Sequence, residues 1–366
     1  VRRILAVDIG TGTQDILLLE AGQEIENAVQ LIIPSPTVLM ARRVEAATAA
    51  GQSLLLTGVT MGGGPCAWAV DAHLKAGFAV FATPNAARTF DDDLEMVARM
   101  GVRVVSEDEA SALEVDCTVE LRDFMPEAIA GALASFGLSD QVDLYALAAF
   151  DHGAAPPGYS DRRFRFDFLR RTVGNGDDLL SFAYTRETLP AELTRLQALI
   201  SSVPAEARVV VMDTGAAAVV GALEDARVRE SDDTLLVNVG NFHTLAFHLE
   251  SGKVRALFEH HTGLLDRAKL DGYLGDLAAG TLLEETIFAD SGHGALQLAR
   301  PNRSPSAPPP FTAVTGPRRK MLIGSATRPY FAVPHGAMML CGCYGLLRGA
   351  AAAVGQAGEM VAAALD

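Results

Sequence analysis

Six of the eight histidines sit in short motifs beside glycine or other turn-forming and polar residues. They are Asp151-His152-Gly153, Asn241-Phe242-His243, Glu259-His260-His261-Thr262-Gly263, Gly292-His293-Gly294 and Pro334-His335-Gly336. Glycine neighbours suit turns in which the backbone comes close to a ligand. Imidazole and carboxylate groups supplied by separate loops match the donor preferences of Zn²⁺, Mn²⁺ or Fe²⁺. The same groups serve as general acids or bases near neutral pH, and any one of them can equally be a hydrogen-bonded turn residue. No H-x-x-x-H spacing occurs, so spacing does not choose among these. Asp151 and His152 follow the apolar run Val142 to Phe150, and strand ends of an α/β sheet are where ligands collect. Both are candidate catalytic residues. His152, His243, His260 and His261 are the first candidates for a transition-metal site. His73 and His248 lack such surroundings and are expected to be structural.

The second chemistry-bearing stretch is VRRILAVDIGTGTQDILLLEAG at positions 1–22. A dinucleotide fingerprint needs its glycines to open a helix. Here a short, apolar run from Asp15 to Glu20 follows and reads as a strand, which excludes that fingerprint. LAVDIGTGTQDILLLEAGQ, from Leu5, also aligns without a gap on LLVNVGNFHTLAFHLESGK, from Leu235. Leu, Val, Gly, Leu, Glu and Gly coincide, and Asp8 falls on Asn238. Two strand–turn–strand units, one in each half, predict two similarly built domains facing across a cleft.

The elements that must position these groups follow from patterning. Apolar strands centred near residues 31, 55, 80 and 104 alternate with helices near 37–50, 68–76 and 93–100, which predicts a largely parallel or mixed sheet covered by helices. Residues 116–205 look less regular and are expected to be an insertion in a first domain spanning 1–205; a second domain spans 206–366. A helical Ala/Gly-rich tail begins near Ala337. PNRSPSAPPP at 301–310 reads as an exposed loop. Gly62-Gly63-Gly64-Pro65 is either an anion-holding helix start or a tight strand-to-helix turn. The runs Arg162-Arg163-Phe164-Arg165 and Arg318-Arg319-Lys320 either neutralise a ligand anion or lie in solvent.

With 366 residues and 49% hydrophobic residues the chain can bury two cores. Its formal charge of −15 opposes general affinity for nucleic acid or anionic membrane. The four cysteines match neither a disulfide framework nor a zinc signature. Val1-Arg2-Arg3 leads straight into a strand, and no run has the length of a membrane helix. The expectation is a cytoplasmic protein acting on a small molecule, with a homodimer left open.

Paired glycine hairpins in a two-domain chain resemble the ATPase superfamily of sugar kinases, actin and the seventy-kilodalton heat-shock chaperones. Asp8, Gly10, Thr11, Gly12 and Thr13 look like its first phosphate turn. Asn238, Gly240, Asn241 and His243 look like the second, and VVVMDTGAAAVVGAL, from Val209, like the connecting segment, with Asp213 where the superfamily often keeps its catalytic carboxylate. Met321 to Ala326, with Gly324 and Ser325, resembles the adenosine motif, and Gly342 to Ala352 the second connecting helix. The resemblance implies an α/β protein with a duplicated ribonuclease-H-like (actin-like ATPase) fold, two domains around a cleft. It also implies ATP and Mg²⁺ in that cleft, Asp8 reaching the metal, and phosphoryl transfer or hydrolysis. The chain departs from the pattern where Asn238 replaces an acid and Phe242 and His243 replace small residues. Two other readings follow from that: a metal-dependent hydrolase or lyase using the histidines, and a non-catalytic nucleotide sensor.

DIGTGTQD, MGGGP, DHG, NVGN, EHHTG, GHG and PHGAMMLCGCYGLL together resemble one family of prokaryotic proteins labelled as pyruvate formate-lyase activating enzymes. That label implies an iron–sulfur cluster on a C-x-x-x-C-x-x-C motif. The sequence has none, and no iron–sulfur cluster is expected.

Overall fold

In the computed structural model, residues 1–174, 179–301 and 308–366 are described. Most of the proline-rich stretch read as a loop lies outside the described residues. The chain opens with an antiparallel meander of β1 (Arg3–Ile9), β2 (Thr13–Glu20) and β3 (Val29–Pro34). Helix α1 (Pro36–Ala49) then leads into a separate parallel sheet. Its strands are β4 (Leu54–Gly58), β5 (Val80–Ala82), β6 (Arg103–Val104) and β7 (Cys117–Leu121), in the order β6-β5-β4-β7, with α2 (Gly64–Lys75) following β4. This sheet has its own apolar core around Val44, Leu54, Leu56, Val70 and Val119.

The chain returns to the first sheet with β8 (Leu144–Ala149), parallel to β1. Helix α3 (Asp161–Gly174), edge strand β9 (Ala183–Thr185), helix α4 (Thr194–Ser201) and β10 (Arg208–Asp213) follow. The sheet order is β3-β2-β1-β8-β10-β9. The inserted layer therefore occupies the stretch from β4 to β7, whereas much of 116–205 builds the first sheet and its covering helices. Strand β10 extends this sheet beyond residue 205, where the sequence reading ends the first domain. Short alternating β–α units carry the inserted sheet, and their regularity made them look like the framework itself.

Helix α5 (Thr214–Ala222) crosses to the second half. There β11 (Asp233–Val239), β12 (His243–Glu250) and β13 (Lys253–His261) repeat the opening meander. Helix α6 (Arg267–Ala279), β14 (Gly294–Gln297), β15 (Phe311–Thr315) and β16 (Tyr330–Phe331) complete it in the order β14-β13-β12-β11-β15-β16. Setting aside the edge strands β9 and β14, both sheets read third, second, first, fourth, fifth, with the last two parallel to the first. This is a duplicated ribonuclease-H-like topology, the actin-like ATPase fold. The hairpin registers repeat too: Asp8 faces Asp15 and Asn238 faces Leu245.

The halves are joined where α5 packs on the tail helix α7 (Cys341–Ala353). A Cβ on Gly221 would fall on the Cys341 carbonyl, and one on Gly345 on the Ala217 carbonyl. Only glycine lets these backbones touch. Among the described residues no helix is long and apolar enough to cross a membrane.

Candidate functional site

The two glycine turns are closed identically. Gly10 N donates to Thr13 O and Gly240 N to His243 O, both at 2.9 Å. A Cβ at Gly10 would stand 3.0 Å, and one at Gly240 2.7 Å, from the carbonyl that closes the turn. The turns meet: the Asn241 side chain fills the space that a Cβ on Gly12 would need. Between them lies a cavity of about 110 Å³, walled by Asp8, Thr11, Asp15, Thr214, Asn238 and Asn241 among others. Asp8 accepts from Thr214 Oγ1 at 2.5 Å, and α7 approaches so closely at Gly342 that a side chain there would displace the carboxylate. Burial raises the Asp8 carboxyl to about 6, the Thr214 bond opposing it and the charge of Asp213 adding to it. Asp15 is pushed up to about 8 by burial and by the Asp8 charge, and its buried Oδ1 has no hydrogen-bond partner. Asn238 donates to Thr315 Oγ1 at 3.1 Å. This is an acid-lined slot.

Phe150, Thr11, Arg195, Phe242 and His243 also wall a second cavity, of about 320 Å³. Four histidines gather at its edge. His152 comes from the loop after β8, His243 opens β12, His261 ends β13 opposite it, and His293 precedes β14. The His152 and His293 Nε2 atoms are 3.0 Å apart, and the ligand atoms of His152, His243 and His293 all lie within 4.8 Å of one another. Phe150 stacks on His243 with ring centres 4.1 Å apart. His293 Nδ1 lies 3.4 Å from Glu259 Oε1, near enough for charge contact though not aligned as a hydrogen bond. His152 is pushed down to about 3 by burial, then by Arg165 and Arg195. Burial and the neighbouring imidazoles hold His243 and His293 well below their ordinary value. All three are neutral, which is the form that binds metals.

Arg165 organises the floor. It is fully buried, with its guanidinium 3.8 Å from the Phe150 ring centre. It donates to Glu259, to both oxygens of Asp213 and to the Asp151 carbonyl. Burial outweighs Arg165 at Glu259, whose carboxyl rises to about 7.

Several of the candidate residues have structural partners. Asp213 also caps α5 through Gly215 N, so both of its oxygens have protein partners. Asp151 accepts from Gly153 N at 2.8 Å and Leu196 N at 2.9 Å, anchoring a turn and the first turn of α4. Period-2 alternation along β13 places Glu259 and His261 on one face and His260 on the other. His260 Nε2 contacts Asp290 at 3.0 Å, away from the other imidazoles. His261 stands beside the cluster, 4.6 Å from the His293 ring centre, but outside the converging set. Gly324 and Ser325 pack on α6, where Ser325 Oγ donates to Asp271, and neither walls the cleft. Gly62 N is taken by Asp123, itself paired with Arg195 at 2.7 Å, so this amide of the triple glycine serves the strand-to-helix turn. His73 and His248 are structural, bonding Thr48 and Asp233.

Asp15, Phe150 and Glu259 line the site without having been singled out from sequence, and Arg165, expected either at a ligand anion or in solvent, is instead buried between carboxylates. For Glu259 a signal existed: it shares its strand face with His261.

A family model described as "Putative pyruvate format-lyase activating enzyme (DUF1786)" matches residues 61–321. The chain belongs to this family. The chemistry of the family's label does not fit the cysteines present. Cys66 and Cys117 lie in the inserted layer, and Cys341 and Cys343, on α7, donate to the Ala218 carbonyl of α5 and the Asp15 carbonyl of β2. Burial raises Cys66, Cys341 and Cys343 further from the thiolate form that an iron–sulfur cluster needs. No curated protein matches the sequence. Among solved structures, similarity is found to a Bacteroides thetaiotaomicron protein with "actin-like ATPase fold and unknown function" (7% identity, 88% of this chain and 86% of that one, TM-score 0.32). It is also found to a "putative N-acetylmannosamine kinase" from Listeria monocytogenes (10%, 95% and 98%, 0.33). A third is a ROK family transcriptional regulator described as a homolog of the E. coli MLC protein (10%, TM-score 0.26); the match takes in 69% of this chain and only 37% of the regulator. These likenesses are too loose to add to what the sheet orders already establish.

Proposed function

We propose that the slot between the glycine turns binds a divalent cation together with the phosphates of a nucleotide, ATP being the first candidate, and supports phosphoryl transfer or hydrolysis. The observation that carries this reading is the meeting of both turns, from the two halves of the duplication, around the Asp8 carboxylate. A hard cation fits the residues present: two facing carboxylates, one with an orphaned buried oxygen, are the donors Mg²⁺ takes. Bound there, Mg²⁺ would neutralise phosphate charge. Thr11, Thr13 and the turn amides would orient the phosphates, and positioning with charge neutralisation carries most phosphoryl-transfer catalysis.

A nucleoside does not fit the slot as it stands. Its 110 Å³ falls short of the roughly 300 Å³ at which small-molecule pockets begin. The reading therefore requires the halves to part, with α5 and α7 as the crossing that must give. The neighbouring 320 Å³ cavity would take the acceptor.

Calorimetric titration with ATP and Mg²⁺ tests this. Binding by the wild type that is lost in Asp8→Asn supports it, and binding without turnover leaves a sensor. Absence of binding to the wild type removes the nucleotide from the mechanism.

A further inference from the structure

The structure assigns a transition-metal site to His152, His243 and His293, independent of the nucleotide reading and formed across the two halves: we propose that these three imidazoles bind one Zn²⁺-class ion. The donors decide the class. Three nitrogen ligands with no thiolate or carboxylate among them suit Zn²⁺ and its borderline neighbours and are poor for Mg²⁺ or Ca²⁺.

The alternative, a hydrogen-bonded imidazole cluster, leaves the geometry incomplete. Two neutral imidazoles share one proton, so the 3.0 Å contact satisfies the facing Nε2 atoms of His152 and His293. The buried Nε2 of His243 then has no partner. A bound cation satisfies all three. Glu259 Oε1 lies 3.4 Å from His293 Nδ1, placing a carboxylate against the far side of this ring, and Arg165 holds Glu259 from its other side.

His152 and His243 also wall the 320 Å³ cavity, while His293 lies behind them, fully buried. A three-ligand ion would thus turn its fourth position toward that cavity, the arrangement of a catalytic rather than a structural zinc site. A water or a small oxygen-donor molecule is the ligand class expected there. Because His152 belongs to the first half and the other two to the second, the ion also ties the halves together.

Untagged protein, produced with zinc in the medium, is tested for bound metal and then exchanged with Co²⁺. The expected result is about one equivalent of zinc and the intense visible bands of four-coordinate Co²⁺. Both are lost in His152→Gln and in His293→Gln but kept in His335→Gln, whose ring lies elsewhere. A wild type without metal and without Co²⁺ bands overturns the assignment. So does full occupancy in the folded variants. Should those variants fail to fold, the wild-type count and Co²⁺ spectrum decide alone.

Discussion

The slot between the glycine turns and the histidine chamber share five wall residues, yet the two regions are chemically unlike. Both descend from the same strand–turn–strand unit, and the differences fall at equivalent positions. Asp8, Gly12, Thr13 and Asp15 in the first unit stand where Asn238, Phe242, His243 and Leu245 stand in the second. The first unit keeps facing acids that suit a hard cation. The second replaces them with an amide and an aliphatic chain, and it turns its strand-opening residue into an imidazole stacked on Phe150. A duplicated backbone thus supplies the same turn twice, while the side chains on it divide the work.

The comparison breaks most severely at Arg165, which holds the chamber floor. Arg165→Leu leaves Asp213 and Glu259 buried without a counter-charge, and loss of one partner from a buried pair costs about 3–5 kcal/mol. Urea unfolding should show a loss of that size. A variant as stable as the wild type would mean that the floor is not held electrostatically.

The slot can be sharpened through its acid pair. Asp15 has a folded-state value of about 8 against an ordinary 3.8, raised by burial and then by Asp8. The folded protein therefore binds more protons than the unfolded chain between these values, and stability falls as pH rises through that window. Asp15→Asn removes its share of the dependence. Without divalent cations, the variant should gain on the wild type by a few kcal/mol between pH 5 and pH 8, read from denaturation midpoints. Added Mg²⁺ at pH 8 should narrow the gap by stabilising the wild type. Parallel midpoints at both pH values would remove the unpaired carboxyl from the account.

Much of this was legible in the sequence. The repeat from Leu5 and Leu235 became two hairpins in matching register, and their glycines became the two turns. His152 and His243 were singled out from short glycine-flanked or polar motifs, and the fold brings them to one chamber. What was not legible depended on long-range placement. His260 and His261 are adjacent in sequence but sit on opposite faces of β13, and only the strand's burial says which faces the cleft. Asp213 was singled out as a carboxylate of the connecting segment, but its partner Arg165 arrives from 48 positions away, in a basic run whose spacing does not say which arginine turns inward. The insertion was misplaced because a regular β–α rhythm marks a sheet without saying which sheet.

Metal linkage tests the chamber against the slot. An ion that binds only the folded protein stabilises it by about 2.7 kcal/mol at a hundredfold excess over its dissociation constant. Zinc added to chelated wild type should raise the thermal midpoint, and His293→Gln should abolish that rise. Asp8→Asn should leave it intact, because the two cation sites are separate. A zinc response lost equally in Asp8→Asn would merge them.

The smallest effect is expected two residues from the largest. Arg163 and Arg165 lie on one helix in one basic run, but Arg163 turns outward to Glu285 at 3.1 Å with its side chain 35% exposed, whereas that of Arg165 is 2% exposed. An exposed ion pair contributes little, and salt screens it. Arg163 also lies over the Phe288 ring, 3.9 Å from its centre, so some packing is lost with the charge. Arg163→Ala should therefore shift the urea midpoint only slightly, and less at high salt than at low. Its zinc content should match the wild type. A loss approaching that of Arg165→Leu would show that the helix is held by its whole basic face rather than by the one guanidinium that reaches the chamber.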